Sequence, residues 1–354
     1  MIIPQIKYPS VDSPQQLIQT IKQWSLFGQI AITGIDANAI DEVKSILRKL
    51  GGTVDISIEF DSLDAEGKLA MLNEGACHLL NRGSSSDSEI VPPDRQIGII
   101  DNPPLDQAIP KNTWVALDSP SAPRISELEM ARIDCLVDIV DLSPELITNF
   151  FKTVLVTDRP DGLWSTVIVD PIGIALGLAY SNHESLLHAI ETRCGTYWSR
   201  SRDDLWIKGE TSGATQQLLG IRMDCDRDCL RFTVTQDSPG FCHRNTHTCF
   251  GQERTIQSVV ERLQQRLAEA DENSFTHRLA NQPEMLEAKL LEEAKELSLA
   301  SQSTDQDEIA WEAADVLYFS LIAMLKNGVS LDRVYAELAR RMNRVVRRDP
   351  GLKT

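Results

Sequence analysis

Between Met223 and Phe250 the sequence concentrates groups that bind metal ions: Met223-Asp-Cys-Asp-Arg-Asp-Cys229, then Gly240-Phe-Cys-His-Arg-Asn-Thr-His-Thr-Cys-Phe250. Thiolates are soft ligands that suit zinc, and a catalytic zinc keeps three protein ligands and one position open for water. Cys225, Cys242 and Cys249 can supply three. Asp224, Asp226 and Asp228 are hard oxygen ligands that suit Mg²⁺. Alternate residues of a strand share a face, so the three acids are expected to converge while Cys225 points the other way. Two plainer readings compete. One is a closed zinc knot with His243 or His247 as fourth ligand; the other is a solvated acidic turn beside ordinary buried thiols. Neither explains acids and thiols alternating in one strand. Cys194 and Cys229 read as small apolar packing residues.

Upstream runs Tyr197-Trp-Ser-Arg-Ser-Arg-Asp-Asp-Leu-Trp-Ile-Lys-Gly-Glu-Thr-Ser-Gly213. Arg200, Arg202 and Lys208 offer charge to phosphate. Gly209, Thr211, Ser212 and Gly213 offer backbone and hydroxyl donors of the kind that cradle it. Without further context such a turn is an ordinary solvated hairpin.

A second constellation lies in Lys289-Leu-Leu-Glu-Glu-Ala-Lys-Glu296 and Trp311-Glu-Ala-Ala-Asp315. Glu293 and Glu296 are i, i+3 neighbours on a helix, as are Glu312 and Asp315. Two facing helices would gather four carboxylates into a Mg²⁺ cage able to neutralise a triphosphate and orient water. An isolated pair of this kind is usually a solvated face. Here the pairs sit among apolar residues such as Val316 and Leu317, where unbound acids are costly to bury.

Three textures place these groups. Residues 1–155 alternate short apolar runs (29–34, 54–60, 97–101, 114–118, 135–141) with helical patterns (39–50, 67–75), which implies parallel β/α units. A polar loop is expected at 81–94. Residues 156–252 carry strand signals at 165–170, 174–180, 196–199, 205–207, 217–223 and 229–235, interrupted by one helix near 185–193; that is an α+β domain with a mostly antiparallel sheet. Residues 253–354 are all-α, with apolar helical spacing at 256–267, 285–300, 308–326 and 331–347. The fold class is therefore multidomain: α/β, then α+β, then all-α.

The formal charge of −17 on 354 residues repels nucleic-acid phosphate and argues against a general nucleic-acid binder. No stretch has the length and apolarity of a membrane span, and the start lacks a secretory signal. Seven cysteines, an odd number without export signals, argue for metal binding over a disulfide framework. A cytoplasmic location is expected.

The segments from Ser199-Arg-Ser-Arg through Leu205-Trp-Ile-Lys-Gly-Glu-Thr-Ser-Gly213, Asp224–Asp228 and Cys242-His243…Cys249-Phe250, three motifs in order, together resemble phosphoribosyl-AMP cyclohydrolase over about 156–252. That resemblance implies a homodimer whose zinc sites are shared between chains. Cys225 of one chain would join Cys242 and Cys249 of the other on zinc, with Asp224, Asp226 and Asp228 on Mg²⁺. A zinc-activated hydroxide would open the adenine ring between N1 and C6, with His243 a candidate proton shuttle. Arg200, Arg202, Trp206, Lys208, Gly209, Glu210, Thr211, Ser212 and Gly213 would hold the nucleotide. The Glu293-x-x-Glu296…Glu312-x-x-Asp315 pattern resembles phosphoribosyl-ATP pyrophosphohydrolase over about 256–346. It implies that Glu293, Glu296, Glu312 and Asp315 hold Mg²⁺ and act in catalysis. Lys289 would contact phosphate, as would Arg340, Arg341 and Arg344 unless they are surface charge. The domains are then 1–155, 156–252 and 253–354, binding phosphoribosyl nucleotides (ATP-type substrates included) and serving the second and third steps of histidine biosynthesis.

The joining segment Thr157-Asp-Arg-Pro-Asp-Gly-Leu163 and the three-part order resemble the front of the fungal multifunctional histidine-biosynthesis family. That implies a degenerate, half-barrel-like β/α unit at the front, expected to be non-catalytic and to support the dimer. A histidinol dehydrogenase activity is expected to be absent. Two alternatives remain open: a house-cleaning nucleotide pyrophosphohydrolase joined to a structural zinc domain, and a non-enzymatic zinc-bearing interaction module.

Overall fold

The computed structural model describes residues 1–8, 13–60, 63–82, 91–104, 107–237, 240–251, 254–268 and 274–345. The expected loop at 81–94 lies largely outside them. The chain forms two compact units, Met1–Gly251 with Ala336–Thr354, and Gln252–Tyr335.

The first unit begins with seven parallel strands: β1 (Ile2–Lys7), β2 (Gln29–Ile35), β3 (Asp55–Phe60), β4 (Leu79–Asn81), β5 (Gln96–Asp101), β6 (Thr113–Leu117) and β7 (Cys135–Asp138). They hydrogen-bond in sequence order, and β1 also pairs with β7, so the sheet closes into a barrel. The half-barrel expectation is corrected: the ring is complete with seven strands, one fewer than the usual eight. Strand alternation sorts its side chains. Ile3, Ala31, Leu80, Ile97, Ile99, Trp114, Ala116 and Leu136 form one apolar cluster. Ile6, Ile30, Ile32, Ile56 and Ile58 belong to another, with Leu17 and Ile21 of α1 (Pro14–Trp24), Val43, Ile46 and Leu47 of α2 (Ile40–Leu50) and Met71 and Leu72 of α3 (Ala65–Glu74).

Helices α4 (Ala122–Met130) and α5 (Pro144–Val154) follow β6 and β7. The starts of α1, α4 and α5 follow one recipe. Ser13, Ser121 and Ser143 each accept a backbone N–H from the first turn, and a proline occupies one of the first two helical positions. Proline has no N–H to leave unsatisfied there, and its φ already suits a helix.

The sheet that follows contains β8 (Trp164–Val169), β9 (Ala175–Ser181), β12 (Gln216–Met223) and β13 (Cys229–Gln236), in the order β12-β13-β8-β9. Only the β13–β8 pair is parallel. Helix α6 (His183–Thr192) and the hairpin β10 (Thr196–Ser199)–β11 (Asp204–Ile207) complete it. This is the antiparallel-rich α+β pattern expected from the sequence. One apolar cluster joins the sheet to the barrel wall: Trp164, Ile168, Tyr197 and Phe232 pack in the same core as Leu26, Phe27, Val115, Leu117, Phe150 and Phe151.

The second unit is helical: α7 (Ile256–Ala268), α8 (Phe275–Asn281), α9 (Pro283–Ala300) and α10 (Gln306–Leu325). α9 and α10 pack together as a hairpin joined by residues 301–305. α11 (Leu331–Met342) starts in this unit, and its last turns belong to the first.

Candidate hydrolase sites

The acidic hairpin differs from its expected form. Asp224 to Asp228 lie in the turn between β12 and β13, not on a strand. The acids converge because the turn curls, with Arg227 at φ 67°. Asp224 Oδ1 accepts the backbone N–H groups of Asp228 and Cys229 at 3.1 and 3.2 Å. One oxygen from each of Asp224, Asp226 and Asp228 falls within 4.8 Å of the others, on an exposed surface. Burial pushes the Asp224 carboxyl up, but the backbone N–H of Cys229 and its neighbours outweigh it, so the net shift is downward. Asp228 moves up through its contact with Asp224 and the charges of Asp226 and Asp224. Crowded carboxylates with opposed shifts are what a hard divalent cation would relieve.

The thiol loop is built differently. Cys242 is buried and Cys249 exposed. The loop is pinned by Cys242 N–H to Thr246 O at 3.1 Å and by Cys249 N–H to Leu176 O at 2.8 Å, the latter on β9. The Phe241 ring lies over Gly177 of β9, where any Cβ would overlap it. Cys242 is lowered by the backbone N–H of Arg244 and by Thr246, with Cys249 also in reach. Burial and the neighbouring Cys242 raise Cys249. Lys208, also buried, is lowered by desolvation and feels both thiols. Two neighbouring cysteines whose thiols shift in opposite directions, beside a buried lysine, are a donor set that fits a soft cation. His243 is exposed, with Nδ1 3.9 Å from Cys242 Sγ.

Cys225 sits at the exposed hairpin tip. Among the described residues it joins no three-member ligand set with Cys242 and Cys249. His247 Nε2 lies 3.2 Å from Asp170 Oδ2. Asp170 is buried and also accepts the N–H groups of Ile172 and Ile174. The sequence reading missed this aspartate, because its separation of 77 residues from His247 hides the pair.

Of the expected nucleotide-binding residues, Lys208 feels the thiols, and the others make local contacts. The Arg200 guanidinium sits 4.0 Å above the Tyr180 ring, and Arg202 donates to Ser199 Oγ at 3.3 Å. Trp206 packs on Tyr197 with centroids 5.5 Å apart. Gly209 has φ +87°, and a side chain there would overlap the Ala214–Thr215 backbone, so the turn requires glycine. Glu210, Thr211, Ser212 and Gly213 are exposed on that turn.

In the helical unit, Glu293, Glu296 and Glu312 bring an oxygen each within 4.8 Å of one another. Glu293 is buried, and Glu312 Oε2 is buried with no hydrogen-bond partner. Desolvation and then the charges of Glu296, Glu293 and Asp315 push the Glu312 carboxyl up. Asp315 contributes its charge without joining the converging set. An orphaned buried oxygen among carboxylates fits a divalent cation. Lys289 is occupied by Glu292 at 2.8 Å and Glu293 at 3.4 Å. Arg340 and Arg341 both bind Glu337, and Arg340 also donates to Glu74 O at 3.0 Å. Arg340 is buried and braces this contact, whereas Arg341 is largely exposed surface charge in the last turn of α11.

Residues 177–251 match the phosphoribosyl-AMP cyclohydrolase family and 256–342 the phosphoribosyl-ATP pyrophosphohydrolase family. The histidine biosynthesis trifunctional protein of Kluyveromyces lactis is 36% identical over 330 residues, 93% of this chain and 40% of that protein. The histidine biosynthesis bifunctional protein of Schizosaccharomyces pombe is 45% identical over 197 residues, 56% of this chain and 46% of that one. The histidine biosynthesis bifunctional protein HisIE of Bacillus subtilis is 36% identical over 197 residues, 52% of this chain and 94% of that one. The two family matches fall on the sheet region that carries the thiols and the acidic turn, and on the helical unit that carries the glutamate cluster. The chain belongs to the bifunctional histidine-biosynthesis family that joins a phosphoribosyl-AMP cyclohydrolase domain to a phosphoribosyl-ATP pyrophosphohydrolase domain. It spans about 40% of the length of the trifunctional relatives.

Proposed function

We propose that the α9–α10 carboxylates serve hydrolysis of phosphoribosyl-ATP to phosphoribosyl-AMP and pyrophosphate. In the same reading, the thiol loop serves opening of the adenine ring of the product between N1 and C6. The observation behind this is the pairing of two ligand sets of opposite softness. Cys242 and Cys249 lie beside Lys208, and Glu293, Glu296 and Glu312 surround an unsatisfied oxygen. Zinc on the thiols would supply water activated toward a pKa of about 7, and Mg²⁺ on the carboxylates would neutralise phosphate charge.

The chain's own residues do the remainder. His243, beside Cys242, takes a proton from the attacking water and delivers it to N1 as the N1–C6 bond breaks. Arg200 and Arg202, with the Gly209–Gly213 turn, hold the phosphoribosyl group, and Trp206 gives the base an apolar wall. In the helical unit Glu312 sits where a proton from attacking water can be accepted, its carboxyl already raised. Asp315 and Glu296 hold that charge balance.

We further propose a homodimer in which Cys225 from a second copy completes the zinc set, since Cys225 is exposed and apart from the other two thiols. Exposed Leu291, Trp311 and Leu317 on α9 and α10 supply apolar surface for pairing. Seven free thiols suit a reducing cytoplasm. No described helix is long and apolar enough to cross a membrane.

The deciding experiment supplies phosphoribosyl-ATP or phosphoribosyl-AMP to the purified chain with and without a chelator. Pyrophosphate release and ring opening should each need metal, and each should be restored by a different ion. Full turnover of both in chelator would defeat the reading.

A further inference from the structure

Asp170 follows the last residue of β8, and its two carboxylate oxygens have different partners. Oδ1 accepts the backbone N–H groups of Ile172 and Ile174 at 3.1 and 2.8 Å, which fixes the turn into β9. The backbone closes the same turn: Asp170 N–H donates to Ile174 O and Gly173 N–H to Asp170 O, each at 3.0 Å. Oδ2 meets His247 Nε2 at 3.2 Å. The turn is held through Oδ1 and the backbone, so the reach of Oδ2 to a side chain 77 residues away serves the thiol loop. Asp170 is 5% exposed, and a carboxylate that deep persists only with donors on it.

His247 lies on the stretch of chain between Cys242 and Cys249. Its carbonyl accepts Phe241 N–H at 3.3 Å, and the adjoining Thr246 O accepts Cys242 N–H at 3.1 Å. The two arms of the loop are thus bonded to each other, with one thiol on each arm. They run so close that a Cβ on Gly240 would overlap Thr246 O. Three fastenings tie the arms to the β8–β9 hairpin: Cys249 N–H on Leu176 O, the Phe241 ring on Gly177, and His247 on Asp170. The last of them holds the chain that separates the two thiols. Among the described residues His247 joins no converging ligand set with Cys242 and Cys249, and its Nε2 is committed to Asp170.

We propose that Asp170 and His247 are positioning residues, a pair that sets the spacing of Cys242 and Cys249 before a metal binds. The proposal rests on the zinc reading of the thiol loop given above. A loop fixed in advance spares the ion the cost of ordering it. Groups that hold the ligands rather than the metal typically change its affinity by about 10–100-fold. Nε2–H donation is open to neutral histidine and to imidazolium alike, so the anchor needs no particular charge on the ring.

The test measures zinc affinity of the full chain by competition with a chromophoric chelator. Alongside it, the absorption of the cobalt(II)-loaded protein reports the geometry of the thiolates around the ion. Asp170→Asn keeps an acceptor for the turn but loses the oxygen that faces His247. That variant and His247→Ala should each weaken zinc binding about tenfold or more and change the cobalt spectrum in the same way. The double variant should be no weaker than either single one, because the two residues act as a unit. His247→Gln, whose amide N–H reaches about as far as Nε2, should restore most of the affinity. Unchanged circular dichroism shows that all four variants are folded.

A second arm reads the anchor without metal. In zinc-free protein Cys242 should alkylate several-fold faster in Asp170→Asn than in the parent, with Cys225 at the hairpin tip unchanged. That contrast in a parent chain with no zinc affinity would defeat the zinc reading and keep the anchor. The proposal fails if Asp170→Asn matches the parent in zinc affinity or in Cys242 labelling, or if the losses in the two single variants add. It fails too if His247→Gln binds no better than His247→Ala. A loss confined to the His247 variants would make His247 a ligand and overturn it as well.

Discussion

Glu312 on α10 faces Glu293 on α9 with one of its oxygens buried and unbonded. This pairing costs stability unless a cation fills it. The raised Glu312 carboxyl means that the metal-free unit binds a proton more readily folded than unfolded. Its stability is therefore greater near the ordinary carboxylate range and falls as pH rises through the elevated pKa. Glu312→Gln should raise the metal-free melting temperature and abolish further stabilisation by Mg²⁺. It should stop pyrophosphate release while leaving ring opening of supplied phosphoribosyl-AMP. Melting curves with and without Mg²⁺, read with both assays, check this; a variant less stable than the parent without metal counts against it.

The thiols should label in a fixed order. Burial pushes Cys135 up to about 12 and Cys77 up to about 11, so both should resist alkylation in the native state. The exposed Cys225 and Cys249 should react first in zinc-free protein, and Cys249 and the partly shielded Cys242 should both be protected by added zinc. Peptide mass spectrometry after brief iodoacetamide treatment gives the order. Cys242→Ala should also release zinc and reduce ring opening by at least a hundredfold, in the range for removing a group central to catalysis.

Gly177 is a remote control on the same loop. A Cβ there would push Phe241 from β9 and drag Cys242 with it. Gly177→Ala should weaken zinc binding and ring opening while pyrophosphate release stays at the parental rate. Equal loss of both activities would point to a general folding defect instead.

Glu337 supplies an acid-side stability window. Its hydrogen bonds with Arg340, then those with Arg341, lower its carboxyl to about 2. A depressed folded-state pKa gives stability that is present above the unfolded value near 4.5 and lost as pH falls toward 2. Glu337→Gln should therefore flatten the acid limb of denaturation between those values. Its effect should be small at neutral pH and smaller in high salt, because the pair is partly exposed.

Removing the Phe151 ring tests whether barrel and sheet melt together. The side chain is fully buried in the cluster that spans both. Phe151→Ala should cost about 3–5 kcal/mol, the usual range for a buried ring. Tryptophan fluorescence and circular dichroism should follow a single shifted transition in denaturant. Two separated transitions would show independent folding.

The strands with strong apolar runs were legible from residue patterns alone: β2, β3, β5, β6 and β7 of the barrel, and every strand of the following sheet, fall where those runs place them. β1 and β4 were missed. β1 holds a proline, and β4 has three residues, too few to show a period. Closure of the ring was also hidden, since pairing of Ile3 with Leu136 spans most of the front region. At the candidate sites, residue type picked out side chains that cluster but not the geometry that gathers them. Asp224, Asp226 and Asp228 looked like one strand face, yet a turn with Arg227 at positive φ brings them together. Lys289 looked free for phosphate because one of its two partners, Glu293, also belongs to the acidic cluster and the other, Glu292, lies one residue before it.

The core shared by α5 and β8–β13 has a consequence for the order of synthesis. When Val154 leaves the ribosome, the barrel can close, but Leu26, Phe27, Phe150 and Phe151 have not yet met Trp164, Ile168 or Phe232. The nascent chain carries that sticky strip until β13 emerges some eighty residues later, a delay on the order of ten seconds at ordinary elongation rates. Chaperone dependence during translation should therefore peak in that interval, after the barrel is made and before the sheet can cover it.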